Sequence, residues 1–214
     1  MAQRHEFETL SSRRVYTGAI VSLRVDEVRM PDGHAAQREV VEHHGAVAVA
    51  AVDDRDRLAL VHQYRHPLGH RLWELPAGLL DAPGESPLDA ARRELAEETG
   101  FGADRWELLV DIALSPGFTD ESVRVFAARD LHPVDRPDPE HEEADLELHF
   151  VPVDDAVAMV LRGEIVNATA VSGILALAAT RTAGTPPRSP DTDWPDRPRA
   201  FARTRAEHAT GHGN

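Results

Sequence analysis

The stretch Ala91–Phe101, ARRELAEETGF, decides how this chain is read. As a helix it carries Glu94, Glu97 and Glu98 at positions i, i+3 and i+4, so three carboxylates project from one face. Like charges at such spacing repel by roughly 0.2–0.5 kcal/mol per pair. The chain already has a formal net charge of -14. Arg93, four residues before Glu97, neutralises part of the ridge. Taken alone, the pattern also describes a solvated acidic helix laced with arginine pairs. Its surroundings separate the two readings.

Working outward, the helix is expected from Pro87 to Thr99, with Gly100 as its stop. Before it lies LWELPAGLLDAPGES (72–86), rich in Pro and Gly. Two strands precede that: GAVAVAAV (45–52), a small apolar run typical of a strand buried on both faces, and RLALVHQYR (57–65), joined by DDRD. Residues 13–43 read as strands around Pro31-Asp32-Gly33, a hairpin turn. Further strands are expected at 105–114, 122–129 and 146–151. Helices are expected at 153–162, stopped by Gly163, and at 168–181, capped by Asn167. HPVDRPDPEHEEADLE (132–147) reads as a long exposed loop. The segment from Ala183, rich in Pro, Arg and Asp, reads as a solvated or loosely docked tail. The expected divisions are a β extension (1–44), a main domain (45–182) and the tail (183–214).

Composition limits the function. With 42% hydrophobic residues in 214, the chain can bury a core. It has no cysteine, so no disulfide, thiolate metal site or cysteine nucleophile, which accords with the cytoplasm. No secretory signal and no membrane span of ~18 apolar residues is read. The acidic balance disfavours nucleic-acid backbones. Phosphates bridged by metal ions are compatible with it, because a divalent ion reverses the local sign of a carboxylate cluster. His43, His44, His62, His66 and His70 lack a metal-ligand spacing and read as solvated or packed.

Upstream of the ridge stand Gly78 and Glu85, then seven residues, then Arg93-Glu94-Leu95, Glu97-Glu98 and Gly100-Phe101. This pattern resembles the box of the Nudix hydrolases, G-x5-E-x7-R-E-U-x-E-E-x-G-U, with U a bulky aliphatic residue. It departs in two places. Six residues rather than five separate Gly78 from Glu85, and Phe101 is aromatic. The extra residue falls in the turn DAPGE, where an insertion costs little, and leaves the helix face unchanged. The resemblance implies an α/β fold, an α/β/α sandwich with a mixed sheet. It also implies an offset for the crowded charge: carboxylates one turn apart hold Mg²⁺, with Mn²⁺ as its substitute, against a diphosphate. Glu94 and Glu98 are then metal ligands, Glu97 a ligand or its neighbour, and the Ala77 carbonyl a further ligand. Gly78, Glu85, Arg93 and Gly100 are then structural.

Around the box, QYRHPLGHRLWELPAGLLD and SPGFTDE resemble the ADP-ribose pyrophosphatase branch, where a proline follows the box by about sixteen residues, as Pro116 follows Gly100. The branch implies hydrolysis of ADP-ribose to AMP and ribose 5-phosphate. Another nucleoside diphosphate sugar such as GDP-mannose, or a non-catalytic ADP-ribose sensor, are the alternatives. Substrate contacts are expected from Arg65, whose guanidinium fork suits phosphate, and from Glu74, Arg38 and Pro116. Trp73 reads as core rather than as a base-stacking residue. For the base that deprotonates water, EHEEAD favours Glu143, then Glu142, with Glu140 beside them. The N-terminal extension implies a homodimer with swapped strands; a hairpin packed on its own domain is the alternative.

Overall fold

The computed structural model describes residues 7–136 and 145–203. They form two compact units. One gathers the N-terminal residues to Gly45, Ala113–Glu121 and the chain from Asp196; the other holds Ala46–Ile112 and Ser122–Pro195.

In the first unit, β1 (Thr9–Thr17), β2 (Val21–Arg29) and β3 (Ala35–His43) form an antiparallel sheet in that order. Gly33, at φ +92°, closes the β2–β3 turn, donating its N–H to Met30 O at 2.9 Å. That is the hairpin predicted at Pro31-Asp32-Gly33. β1 is exposed along its whole length, with Val15 and Tyr16 49% and 59% accessible. β2 and β3 bury polar groups as well. The carboxylate of Glu42, almost wholly enclosed, accepts from Arg24 at 2.5 Å, and Arg24 also grips both oxygens of Asp26. The segment 113–121 is tied to the end of β3. Val41 N–H donates to Phe118 O at 2.8 Å, and His43 N–H donates to Asp120 Oδ1 at 2.9 Å.

The second unit contains β4 (Ala46–Ala51), β5 (Arg57–Arg65), β6 (His70–Glu74), β7 (Ala77–Leu79), α1 (Pro87–Thr99), β8 (Phe101–Ala113), β9 (Ser122–Pro133), β10 (Glu147–Pro152), α2 (Val153–Leu161) and α3 (Ala168–Thr180). A mixed sheet runs β7-β4-β9-β8, with β4 parallel to β9 and antiparallel to β7; β10-β5-β6 is antiparallel. β4 is buried on both faces, as its apolar run predicts. Val47, Val49 and Ala51 join Ala90, Ala91 and Leu95 of α1, while α3 also packs against β4 and β9. A Cβ on Gly173 of α3 would lie 2.6 Å from Leu75 Cδ1 and 3.0 Å from Val125 Cγ1, so the helix sits this close only with glycine there. Helices on opposite faces of β4 make the α/β/α sandwich.

The structure adds to the sequence expectations in three places. Within the Pro- and Gly-rich residues 72–86, to which the sequence assigns no strand, lie the end of β6 and all of β7, because β5 and β4 supply backbone partners that sequence does not display. β8 starts at Phe101 rather than 105, directly after the left-handed turn of Gly100 (φ +72°). The segment after Ala183 is docked in part. Leu108 N–H donates to Arg188 O, and the buried Arg124 donates to the carbonyls of Thr192 and Asp193 at 2.7 and 3.1 Å. No helix among the described residues is long and apolar enough to cross a membrane.

Candidate active site

α1 is set by local chemistry. Ser86 Oγ accepts from Asp89 N–H at the N-cap, Pro87 follows it, and Gly100 ends the helix with its N–H on Ala96 O. These caps fix the phase of the helix, and Glu94, Glu97 and Glu98 share a ridge as their spacing predicts. The ridge is not a solvated face: Glu94 and Glu98 are buried, and Glu97 is about a quarter exposed.

β7 brings the lead-in segment against that ridge. Ala77 N–H donates to Glu98 Oε2 at 3.0 Å. A Cβ on Gly78 would fall 1.9 Å from Glu94 Cδ, so only glycine lets the strand pass this close to the carboxylate. Arg93 holds the other side. Its fork takes both oxygens of Glu85 at 3.0 Å, and Nη1 reaches Glu94 at 2.6 Å and Glu97 at 3.0 Å. The hydrogen bonds to Glu85 lead in raising the Arg93 guanidinium further above its usual value. The one-residue insertion between Gly78 and Glu85 therefore leaves both ends of the loop in contact with the helix.

Burial dominates the electrostatics. It pushes the Glu94 carboxyl up to about 6, against the pull of Arg93. It pushes Glu98 up to about 8, against the Ala77 hydrogen bond, and the Glu94 charge adds to the rise. Arg65 and Glu74 also act on Glu98, with opposite signs. These two form a forked pair at 2.8 and 2.6 Å, with Glu74 nearly enclosed on β6. Two buried carboxylates this poorly compensated suit an added cation of high charge density, and all-oxygen donors suit a hard divalent ion. Among the described residues no three acidic or histidine side chains are drawn into a ready-made cation cage. Arg93 spans Glu94 and Glu97 instead.

The remaining predicted residues belong to the other unit or fall outside the described residues. Arg38 lies exposed on β3, donating to its neighbour Gln37 O at 2.8 Å, and Pro116 is exposed in the 113–121 segment; both belong to the first unit. Glu140, Glu142 and Glu143 lie outside the described residues. Sequence reasoning passed over a ring cluster on β5, β6 and β10. His62 stacks on Trp73 at 4.4 Å, and His149 meets the same indole edge-on at 4.9 Å. Trp73 is thus a half-buried platform rather than core. The alternation of β5 and β6 was the available signal, but it does not reveal which strands pair.

The comparisons with known proteins agree with this geometry. Residues 42–171 match the model of the NUDIX domain, and residues 7–41 match that of the nucleoside diphosphate sugar hydrolase N-terminal domain. The chain is 55% identical to an ADP-ribose pyrophosphatase of Mycobacterium tuberculosis, over 95% of this chain and 98% of that one. It is 34% identical to a methanol dehydrogenase activator of Bacillus methanolicus, over 81% and 94%. A crystal structure of an ADP compounds hydrolase superposes with a TM-score of 0.71 at 23% identity, covering 86% of this chain and 99% of the other, and shows the same fold. A helix ridge of buried carboxylates, a glycine strand laid against it and a match over the whole of that region have one common source: the chain belongs to the NUDIX domain family.

Proposed function

We propose that this protein is a hydrolase that cleaves the diphosphate of ADP-ribose with water, giving AMP and ribose 5-phosphate. The carrying observation is the buried Glu94–Glu98 pair, clamped between Arg93 and the Ala77-Gly78 strand, in a chain 55% identical to a protein of that activity. Divalent ions are what such a donor set takes, and Mg²⁺, with Mn²⁺ as substitute, is the proposed one. When bound, the ion supplies charge neutralisation of the diphosphate and a lower pKa for water.

Glu94 and Glu98 are the proposed ligands, with the Ala77 carbonyl and Glu97 completing the donor set. Arg93 and Glu85 hold the ridge in place. Arg65, orientated by Glu74, faces substrate oxygens with its fork, and Arg38 and Pro116 are further substrate contacts. Glu143, then Glu142, is the proposed base. Gly78 and Gly100 shape the backbone around the ridge. The exposed apolar side chains of β1, Leu10, Val15 and Tyr16, support a homodimer built through residues 1–44. A cytoplasmic location accords with a chain free of cysteine.

Chromatography of the products tests the reading. With Mg²⁺ present, ADP-ribose should yield AMP and ribose 5-phosphate in equal amounts, at a higher kcat/KM than GDP-mannose. Preference for GDP-mannose would overturn the substrate, and binding of ADP-ribose without turnover would overturn the enzyme.

A further inference from the structure

A cavity of about 540 Å³ opens in the second unit, at the end of β4 opposite its pairing with β7. Four arginines, Arg55, Arg57, Arg105 and Arg129, and two phenyl rings, Phe101 and Phe150, line it. That volume lies within the ~300–1,000 Å³ of small-molecule sites. In a chain of net charge -14, a lining with four arginines and three aspartates, Asp53, Asp54 and Asp130, carries an excess of positive charge.

The charges are unevenly committed. Asp53 holds Arg57 at 2.6 and 2.8 Å and caps the turn by accepting the N–H groups of residues 55 and 57. Arg57 in turn lies 5.3 Å over the Phe150 ring, and Phe150 meets Phe101 edge-on at 5.6 Å. Arg105 pairs with Asp130 at 3.5 Å. Among the described residues the guanidinium of neither Arg55 nor Arg129 has a hydrogen-bond or ion-pair partner, although Arg129 is half-buried. The backbone marks the same place. Among the described residues, the two non-glycine residues of positive φ are Asp130 (+58°), which lines the cavity, and Asp56 (+60°), in the turn between its lining residues Arg55 and Arg57. Residues held in sparsely populated backbone regions cluster where ligands bind.

We propose that this cavity is a second ligand site, which takes a phosphorylated compound bearing a planar ring, of the nucleoside monophosphate class. Arg55 and Arg129 grip the phosphate with their forks, and Phe101 and Phe150 give the ring an apolar wall. The site lies about 13–16 Å along β4 from the Ala77-Gly78 strand, at about 3.3 Å per residue. Binding there is therefore separate from binding at the carboxylate ridge.

Hydrogen exchange of the full chain with AMP tests this, because it locates the ligand. At ten times its Kd, AMP should slow exchange about tenfold in residues 52–57 and 128–131. Arg129→Ala, alone and with Arg55→Ala, should abolish that slowing and leave kcat for ADP-ribose unchanged. Inorganic phosphate and ribose 5-phosphate, which have no planar ring, should protect these segments less. Protection confined to 63–78 and 94–98, or equal in the arginine variants, would overturn the site. Equal protection by inorganic phosphate would overturn the nucleotide class. Neither result depends on ADP-ribose being the substrate.

Discussion

Gly78 and Glu94 occupy one another's space: a Cβ on the glycine would stand 1.9 Å from the glutamate Cδ and 2.0 Å from its Oε1. Because Glu94 is buried and Arg93 holds its oxygen, the carboxylate has little room to yield. Gly78→Ala should therefore displace the carboxylate while leaving the sheet paired. A shift of about 1 Å in such a group costs on the order of 100-fold in rate. Steady-state kinetics should show that loss in kcat/KM. A variant that keeps full activity would contradict the proposed role of the ridge.

Glu98 makes the metal-free protein sensitive to pH. Its carboxyl is raised from 4.5 to about 8, and that of Glu94 from 4.5 to about 6. Between 4.5 and 8 the folded state therefore binds protons that the unfolded state has released, and stability falls as pH rises. Below 4.5 both states are protonated and the effect vanishes. Denaturant titrations in EDTA should show this slope, and Glu98→Gln should flatten it while abolishing turnover. Added divalent ion should restore stability at high pH, because it favours the ionised pair.

Arg93 is a clamp whose geometry matters as well as its charge. It grips Glu85 twice and spans Glu94 and Glu97. Arg93→Ala leaves the buried Glu94 uncompensated and should cost roughly 2–3 kcal/mol, given the partial exposure of the arginine. That corresponds to a fall in Tm of about 4–12 °C for a chain of this size. Arg93→Lys keeps the charge, loses the fork, and should fall between. Equal Tm for all three proteins would refute the clamp.

Arg124 anchors the segment after α3. It is 3% exposed, pairs with both oxygens of Asp111, donates to the Thr192 and Asp193 carbonyls, and lies 4.7 Å over the Trp194 ring. Arg124→Met should release residues 188–195 and lower Tm by about 6–12 °C, from roughly 3 kcal/mol of lost pairing. Limited proteolysis should then cut this segment faster than in the parent. An unchanged cleavage rate would show that Trp194 burial and the Leu108–Arg188 hydrogen bond hold it without Arg124.

The sequence by itself determined what depends on near neighbours. The extent of α1 was legible from Pro87 and Gly100, and its carboxylate ridge from the spacing, because helical bonds join residues three or four apart. Burial of β4 on both faces followed from its unbroken apolar run.

Only the tertiary structure decided whether that ridge was a wet surface or an enclosed site. Ala77 meets Glu98 across 21 residues, and Arg124 meets Thr192 across 68. Such partners are selected by which backbone groups still lack a hydrogen bond once the strands assemble, and local periodicity carries no trace of that selection. The raised carboxyls of Glu94 and Glu98 have the same origin: desolvation is a property of the packed neighbourhood, whereas spacing fixes only the direction in which a side chain leaves its helix.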